Sequence, residues 1–208
     1  MNPFKINFVF DSCENNFSHS SKVAEWWGTW TSLAFFLVAI FGLTRPKTNN
    51  RLLMCYLATI PIGITSTIHH AILSPFTQFF DELAIIIGEV IYLRALYADV
   101  EHTKLLTLLT LLGIYHPLPE AMVVFYLLGK ILVQVNNMRK KFKKLRIYCN
   151  IIFGCAFVSL ACLVLDLAAL LGAPWLCLPY HSLWHIVMAL FCFTGALAIE
   201  KLNKYYLN

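Results

Sequence analysis

The chain has 208 residues, 59% of them hydrophobic and only 13% charged, with a net charge of +5 and a mean hydropathy of +0.69. A soluble domain averages about 45–50% apolar and about 25% charged residues, so this composition excludes an ordinary globular protein and points to the bilayer as solvent. The positive charge is clustered beside apolar runs, as in cytoplasmic loops, and implies no nucleic-acid partner.

The first residues, MNPFKINFVFDSCENN, do not read as a secretory signal. The basic segment is minimal, and the short apolar patch meets Asp11 without a small-residue cleavage site. Export of the N-terminus is then expected to depend on the first membrane span. Asp11, Glu14, Asn16 and Glu25 supply side-chain oxygens just before that span. Their spacing is not that of an EF-hand loop, which needs a glycine at its middle. From the residues alone they read as a solvated helix N-terminus, where acids are favoured by the dipole.

Seven apolar stretches follow, at about 24–43, 52–73, 79–97, 105–115, 121–135, 147–171 and 181–199. A span needs about 20 mostly apolar residues. The fourth is short unless it extends through Glu101, His102 and Lys104. Pro117 and Pro119 separate it from the fifth, because proline cannot continue the helical ladder. The seven cysteines are scattered without a CxxC pair, so no zinc ribbon or thioredoxin motif is present. No repeat, soluble domain or low-complexity tract interrupts the chain, and a single seven-span domain over 1–208 is expected.

Charge orients these spans. Arg45, Lys47 and Arg51 fall in one loop, and Arg94 and Lys104 in the next loop on the same side. Arg139, Lys140, Lys141, Lys143, Lys144 and Arg146 fall in a third, with Lys201 and Lys204 in the tail. Only Lys5 and Lys22 lie on the other side, and Lys130 lies within a span. The positive-inside rule then predicts an all-α seven-transmembrane bundle with a lumenal or extracellular N-terminus and a cytosolic C-terminus. Seven spans satisfy every loop, and six do not.

In that topology three helices bring ionisable groups to one depth near the outer surface. Ser66, His69 and His70 end the second span, Asp81 and Glu82 begin the third, and His181 and His185 begin the seventh. Such groups are costly in lipid and are functional candidates by default. His181 and His185 are four apart and share one helix face, as do Ser66 and His70. Three histidines leave zinc an open position, the pattern of a catalytic site. Asp81 is open to three readings: a fourth ligand, a group that orients a ligand, or a general base. His69 points about a hundred degrees away from His70 and is expected to pack. His19, His102 and His116 have no such partners and read as ordinary interfacial residues. Asp166, near the outer end of the sixth span, is either a support for the site or an interfacial residue. Glu89, in mid-span, has no assigned role.

Three blocks carry a resemblance. DSCENNFSHSSKVAEWWGTWTSLAF is similar to a D-W-C-E-x-N…A-E-F-W-N start, GITSTIHHAILSPFTQFFDEL to a G-x-x-S-x-x-x-H…L-D-E-L block, and HSLWH to a final H-x-x-W-H. In that order, over nearly the whole chain, the sequence resembles the alkaline ceramidases, seven-span zinc amidases of the superfamily that includes adiponectin-receptor-like proteins. The resemblance implies hydrolysis of the ceramide amide to sphingosine and a fatty acid, in the endoplasmic reticulum or Golgi membrane. It implies His70, His181 and His185 as zinc ligands and selects His70 over His69. Asp81 resembles the residue that handles protons for the attacking water, and Ser66 the one that stabilises the oxyanion. Trp184 matches a residue beside the bound substrate. Structural or regulatory calcium would be held by Asp11, the Ser12 carbonyl, Glu14, Asn16 and Glu25, which replaces the reading of these acids as a plain helix start.

The chain departs from the pattern in places. Ser12 replaces a tryptophan, which suits a ligand acting through its backbone, and Gly28 replaces an asparagine. The chain is shorter than typical members, mainly in loops and tail. The family's lumenal disulfide implies a partner for Cys13, and Cys177 is the expected one, although its spacing is not kept. The alternatives are a related hydrolase for another lipid, such as a phytoceramide, an N-acyl amide or a GPI-type lipid; a receptor with the same zinc site; and a silent scaffold. Intact zinc and acid–base positions argue against the last.

Overall fold

The computed structural model describes residues 12, 14–45, 50–96, 117–170 and 178–206. All regular structure among them is helical: α1 (Trp26–Thr31), α2 (Ala34–Thr44), α3 (Asn50–Ile72), α4 (Pro75–Leu96), α5 (Pro117–Lys141), a 3-10 turn (Lys143–Leu145), α6 (Arg146–Leu170) and α7 (Tyr180–Tyr206). Among the described residues, four stretches are long and apolar enough to cross a membrane: Trp26–Thr44, Asn50–Ile72, Lys143–Asp166 and Tyr180–Lys204. Large apolar side chains cover their outer faces, with Leu37 68% and Phe157 75% exposed. Water-facing surfaces rarely carry so much contiguous apolar area, and the chain is a membrane protein. The expected fourth span, 105–115, lies outside the described residues.

The first span corrects the expectation of one continuous helix. Thr29, Thr31 and Ser32 donate their hydroxyls back to the carbonyls of Glu25, Trp27 and Gly28 at 2.6, 2.7 and 2.8 Å. Such back-bonding bends helices. The junction then tightens to bonds of three-residue spacing, with the N–H groups of Leu33, Phe35 and Phe36 donating to the carbonyls of Trp30, Ser32 and Leu33. The span is thereby split into α1 and α2. α5 is longer than the expected 121–135. Pro117 starts it, where the missing N–H costs nothing, and its C-terminal turn takes in Arg139, Lys140 and Lys141, cations that the dipole favours there.

α3 and α4 form a tight hairpin. Leu73 takes a positive φ of 50° and donates its N–H to the His69 carbonyl at 2.7 Å. Ser74 then caps α4 by accepting the Thr77 N–H, and Pro75 occupies the first helical position. The hairpin sets the end of α3, with His69 and His70, beside the start of α4, with Asp81. The chain before α1 is tied to this end, since the N–H groups of Ala24 and Glu25 donate to the carbonyls of Ala71 and His70.

α7 is the central helix. It packs most extensively on α6 and also meets α1, α2, α3 and α4. The core between them includes Phe35, Tyr56, Ile62, Tyr92, Cys155 and Ile199. Gly42 lets α2 lie directly on α3, because a Cβ there would fall 2.0 Å from the Tyr56 ring. At the end opposite the hairpin, Glu200 of α7 is buried between Arg45 at 3.2 Å and Lys204 at 3.0 Å.

Candidate metal centre

His70, His181 and His185 converge at the hairpin end. Their candidate ligand atoms all lie within 4.8 Å of one another. The ring centroids are 4.9 Å apart for His70 and His181, 4.7 Å for His70 and His185, and 4.9 Å for His181 and His185. His185 and His70 are buried and His181 is half-buried. The i, i+4 spacing on α7 supplies two imidazoles and the last turn of α3 supplies the third.

Each histidine also has an outer partner. His70 Nδ1 pairs with Glu25 Oε2, and His181 Nδ1 faces Asp166 Oδ2 at 3.7 Å. His185 Nδ1 lies 3.0 Å from Thr31 Oγ1 and 3.3 Å from Ser32 Oγ. The Thr31 and Ser32 hydroxyl protons go to the carbonyls of Trp27 and Gly28, so both oxygens accept from His185 Nδ1. A carboxylate at His70 Nδ1 likewise keeps the proton on that nitrogen. The Nε2 atoms of His70 and His185 are then both left with lone pairs, and they face each other at 3.2 Å. Two lone pairs so placed repel unless a cation shares them. A tetrahedral zinc with bonds of about 2.0–2.1 Å separates its nitrogens by about 3.3 Å. The donor set and its outer partners fit such an ion, since metal-binding imidazoles present their second nitrogen to a carboxylate or similar acceptor.

Ser66 and Asp81 border this cluster. Ser66 Oγ is 3.4 Å from His185 Nε2 and 3.0 Å from Ser32 Oγ. Asp81 is buried, accepts from Thr65 Oγ1 at 3.4 Å, and interacts with the Ser66 hydroxyl. It is not among the three converging groups. Trp184 lies beside the cluster, its ring 5.6 Å from that of His181 and 5.4 Å from that of His185. His69 is buried and faces Thr77 Oγ1 at 3.3 Å, outside the cluster. His19 packs on the rings of Trp26 and Trp27.

The acidic segment folds as a strap onto this centre. The Ser12 N–H donates to Glu25 Oε1 at 2.7 Å, and the Glu14 N–H to Ser12 Oγ at 3.3 Å. The Glu14 carboxylate accepts the N–H groups of Trp27 at 2.7 Å and Gly28 at 3.1 Å, capping α1 from a distance in sequence. Asn16 is exposed. Asp11, Cys13 and Cys177 lie outside the described residues, and so does the expected disulfide. The five cysteines that are described as free, Cys55, Cys149, Cys155, Cys162 and Cys192, are all buried.

Sequence reasoning missed three contacts. Glu25 touches a candidate ligand directly, and Thr31 and Ser32 hold another. The run of hydroxyls at 29, 31 and 32 in an apolar stretch is the signal that would have found the second pair. Gly28, a departure from the resemblance, has a local reason: a Cβ there would lie 2.9 Å from His70 Nδ1. The imidazole rests directly on the α1 backbone.

The ceramidase family model matches residues 8–207. An alkaline ceramidase of Arabidopsis thaliana is 26% identical over 102 residues, covering 48% of this chain and 40% of that protein. Alkaline ceramidase 3 of Mus musculus is 30% identical over 92 residues, covering 43% and 34%. The matched segments thus span well under half the length of these curated relatives. With the family model matching almost from end to end, the chain belongs to the ceramidase family.

Proposed function

We propose that the protein is a zinc-dependent amidase that cleaves ceramide within the membrane to sphingosine and a free fatty acid. The observation that carries this reading is the convergence of three histidines, two of which, His70 and His185, face each other through Nε2 while their Nδ1 atoms are engaged elsewhere. His70, His181 and His185 would hold the zinc. Bound there, zinc supplies Lewis acidity, acidifying a water and polarising the amide carbonyl.

The chain's own residues complete the reaction. Asp81, set against Ser66 and Thr65, takes a proton from the attacking water through a carboxylate oxygen and returns it to the leaving amine. The Ser66 hydroxyl donates to the carbonyl oxygen as negative charge develops there, a kind of stabilisation worth about 3–4 kcal/mol when one donor is removed. Trp184 lines the approach of the lipid. Glu25, Asp166, Thr31 and Ser32 fix the imidazoles in the tautomer that ligation requires.

In the same reading the chain crosses the membrane seven times, with the metal centre near the lumenal or exterior face. The strap would hold calcium through Asp11, the Ser12 carbonyl, Glu14, Asn16 and Glu25. This is an all-oxygen set suited to a hard cation, and its carboxylate oxygens keep lone pairs beyond the N–H groups they accept. Calcium would tie the strap to the centre through Glu25, whose other oxygen meets His70.

Detergent-purified wild type and His185→Ala, incubated with ceramides with and without calcium, test the reading. Sphingosine release by wild type alone, with about one zinc per chain, is the expected result. Bound zinc without product from any ceramide would refute it.

A further inference from the structure

A cavity of about 490 Å³ lies at the end opposite the metal centre, where the last turns of α5 and α7 meet the first turn of α3. Ligand pockets typically hold about 300–1,000 Å³. Arg51, in its lining, stands well before His70 on α3, and Asn203 well after His185 on α7. Each separation is roughly 27–29 Å along a helix, so the cavity is distinct from the histidine cluster.

The polar lining is rich in donors. Arg51 and Lys141 bring positive charge, and Gln134, Asn137 and Asn203 bring side-chain amides. Asn203 Nδ2 is buried and has no hydrogen-bond partner among the described residues. Gln134 Nε2 reaches the Leu96 carbonyl, and Asn137 Nδ2 reaches Gln134 Oε1, only at 3.5 Å. Strong N–H···O bonds are about 2.7–3.2 Å long, so both amides have donor capacity to spare. No carboxylate is among the described lining residues. Glu200, about one turn before Asn203, is already held between Arg45 and Lys204. The Arg51 guanidinium forms no ion pair with a described carboxylate.

Cations gathered around a buried donor without a partner call for an acceptor that carries negative charge. A phosphomonoester suits them. It brings a charge of about −1.5 to −2 for Arg51 and Lys141, and acceptor oxygens for the amides. Leu96, Met138 and Leu202 line the same space, so the molecule bearing the phosphate is amphipathic. Helix ends surround the cavity and set it at headgroup depth, where basic pockets between membrane helices bind anionic headgroups. We infer that this cavity binds the phosphomonoester headgroup of an anionic membrane lipid, with Arg51, Lys141 and Asn203 as its main contacts. The inference is independent of the lipid that the metal centre acts on.

The test uses the detergent-purified full chain and reads the rise in melting temperature with added lipid, which does not depend on turnover. Phosphatidic acid carries the phosphomonoester, phosphatidylcholine with the same chains does not, and glycerol phosphate carries it without the chains. Wild type should bind phosphatidic acid at least about 10-fold more tightly than phosphatidylcholine. Arg51→Gln alters an exposed side chain and should lose most of that preference. Asn203→Leu should reduce it severalfold. Lys140→Gln removes the same charge from α5 outside the lining and should keep the preference. Equal binding of the two lipids by wild type would overturn the inference. So would an equal loss in Lys140→Gln and Arg51→Gln, which would mark diffuse attraction to a basic surface. An equal shift with glycerol phosphate would assign the cavity to a soluble phosphomonoester and overturn the lipid as its ligand.

Discussion

At the hairpin end, Glu25, Asp166, Thr31 and Ser32 surround three histidines whose candidate ligand atoms lie within 4.8 Å of one another. At the opposite end, Glu200 is also buried, but its partners are Arg45 and Lys204, both near the surface. The first arrangement gathers neutral donors whose lone pairs repel until a cation joins them. The second sets a carboxylate against two cations, so opposite charges meet without a further ion. Burial alone does not distinguish them: Glu25 and Glu200 are 0% and 4% exposed. What differs is whether the surrounding groups leave one unmet electronic demand in common.

Substitutions should separate the two ends. The largest effect is expected for His185→Ala, which removes a ligand. Zinc content measured by elemental analysis should fall to background together with amide hydrolysis, and retained stoichiometric zinc would contradict the assignment. Ser66→Ala keeps all three ligands and should lower kcat by about 10²–10³ with zinc content unchanged. A parallel loss of zinc would make Ser66 part of the metal site instead. Next comes Glu25→Gln, which weakens the grip on His70 Nδ1. Zinc affinity by chelator competition should drop about 10–100-fold, and a value equal to wild type would show that Glu25 serves the strap alone.

Away from the centre the effects should fall on stability. Gly42→Ala forces a methyl into the Tyr56 ring and should cost about 1–3 kcal/mol, read as a lower melting temperature at unchanged zinc content. Smallest is Glu200→Gln. Its cationic partners reach solvent, so the loss should be about 1 kcal/mol or less, again without effect on zinc. A large loss of zinc in either variant would show that the two ends are coupled.

Much of this centre was readable from residue spacing. HSLWH presents two imidazoles on one face because four residues make about one turn, and that holds in α7. The pair His69–His70 was less legible. Both lie in the last turn of α3 and both are buried, and only the angle at which α3 meets α7 turns His70 inward and His69 toward Thr77. Asp166 stood open between two readings until α6 packed along α7 and set it against His181. The break between α1 and α2 was not expected, because each stretch is apolar enough to read as one helix; hydroxyl back-bonding, a local competition for carbonyls, decided it.

By itself the sequence determined the solvent, the helical class and the chemical types of the candidate ligands. These follow from composition and from the 3.6-residue period, which are local properties. Only the tertiary structure decided which carboxylate backs which imidazole, why position 28 is glycine, and that Arg51, Lys141 and Asn203 line one cavity at the opposite end. These depend on where one helix touches another, and such contacts are set by packing across the bundle and not by the order of residues along any single helix.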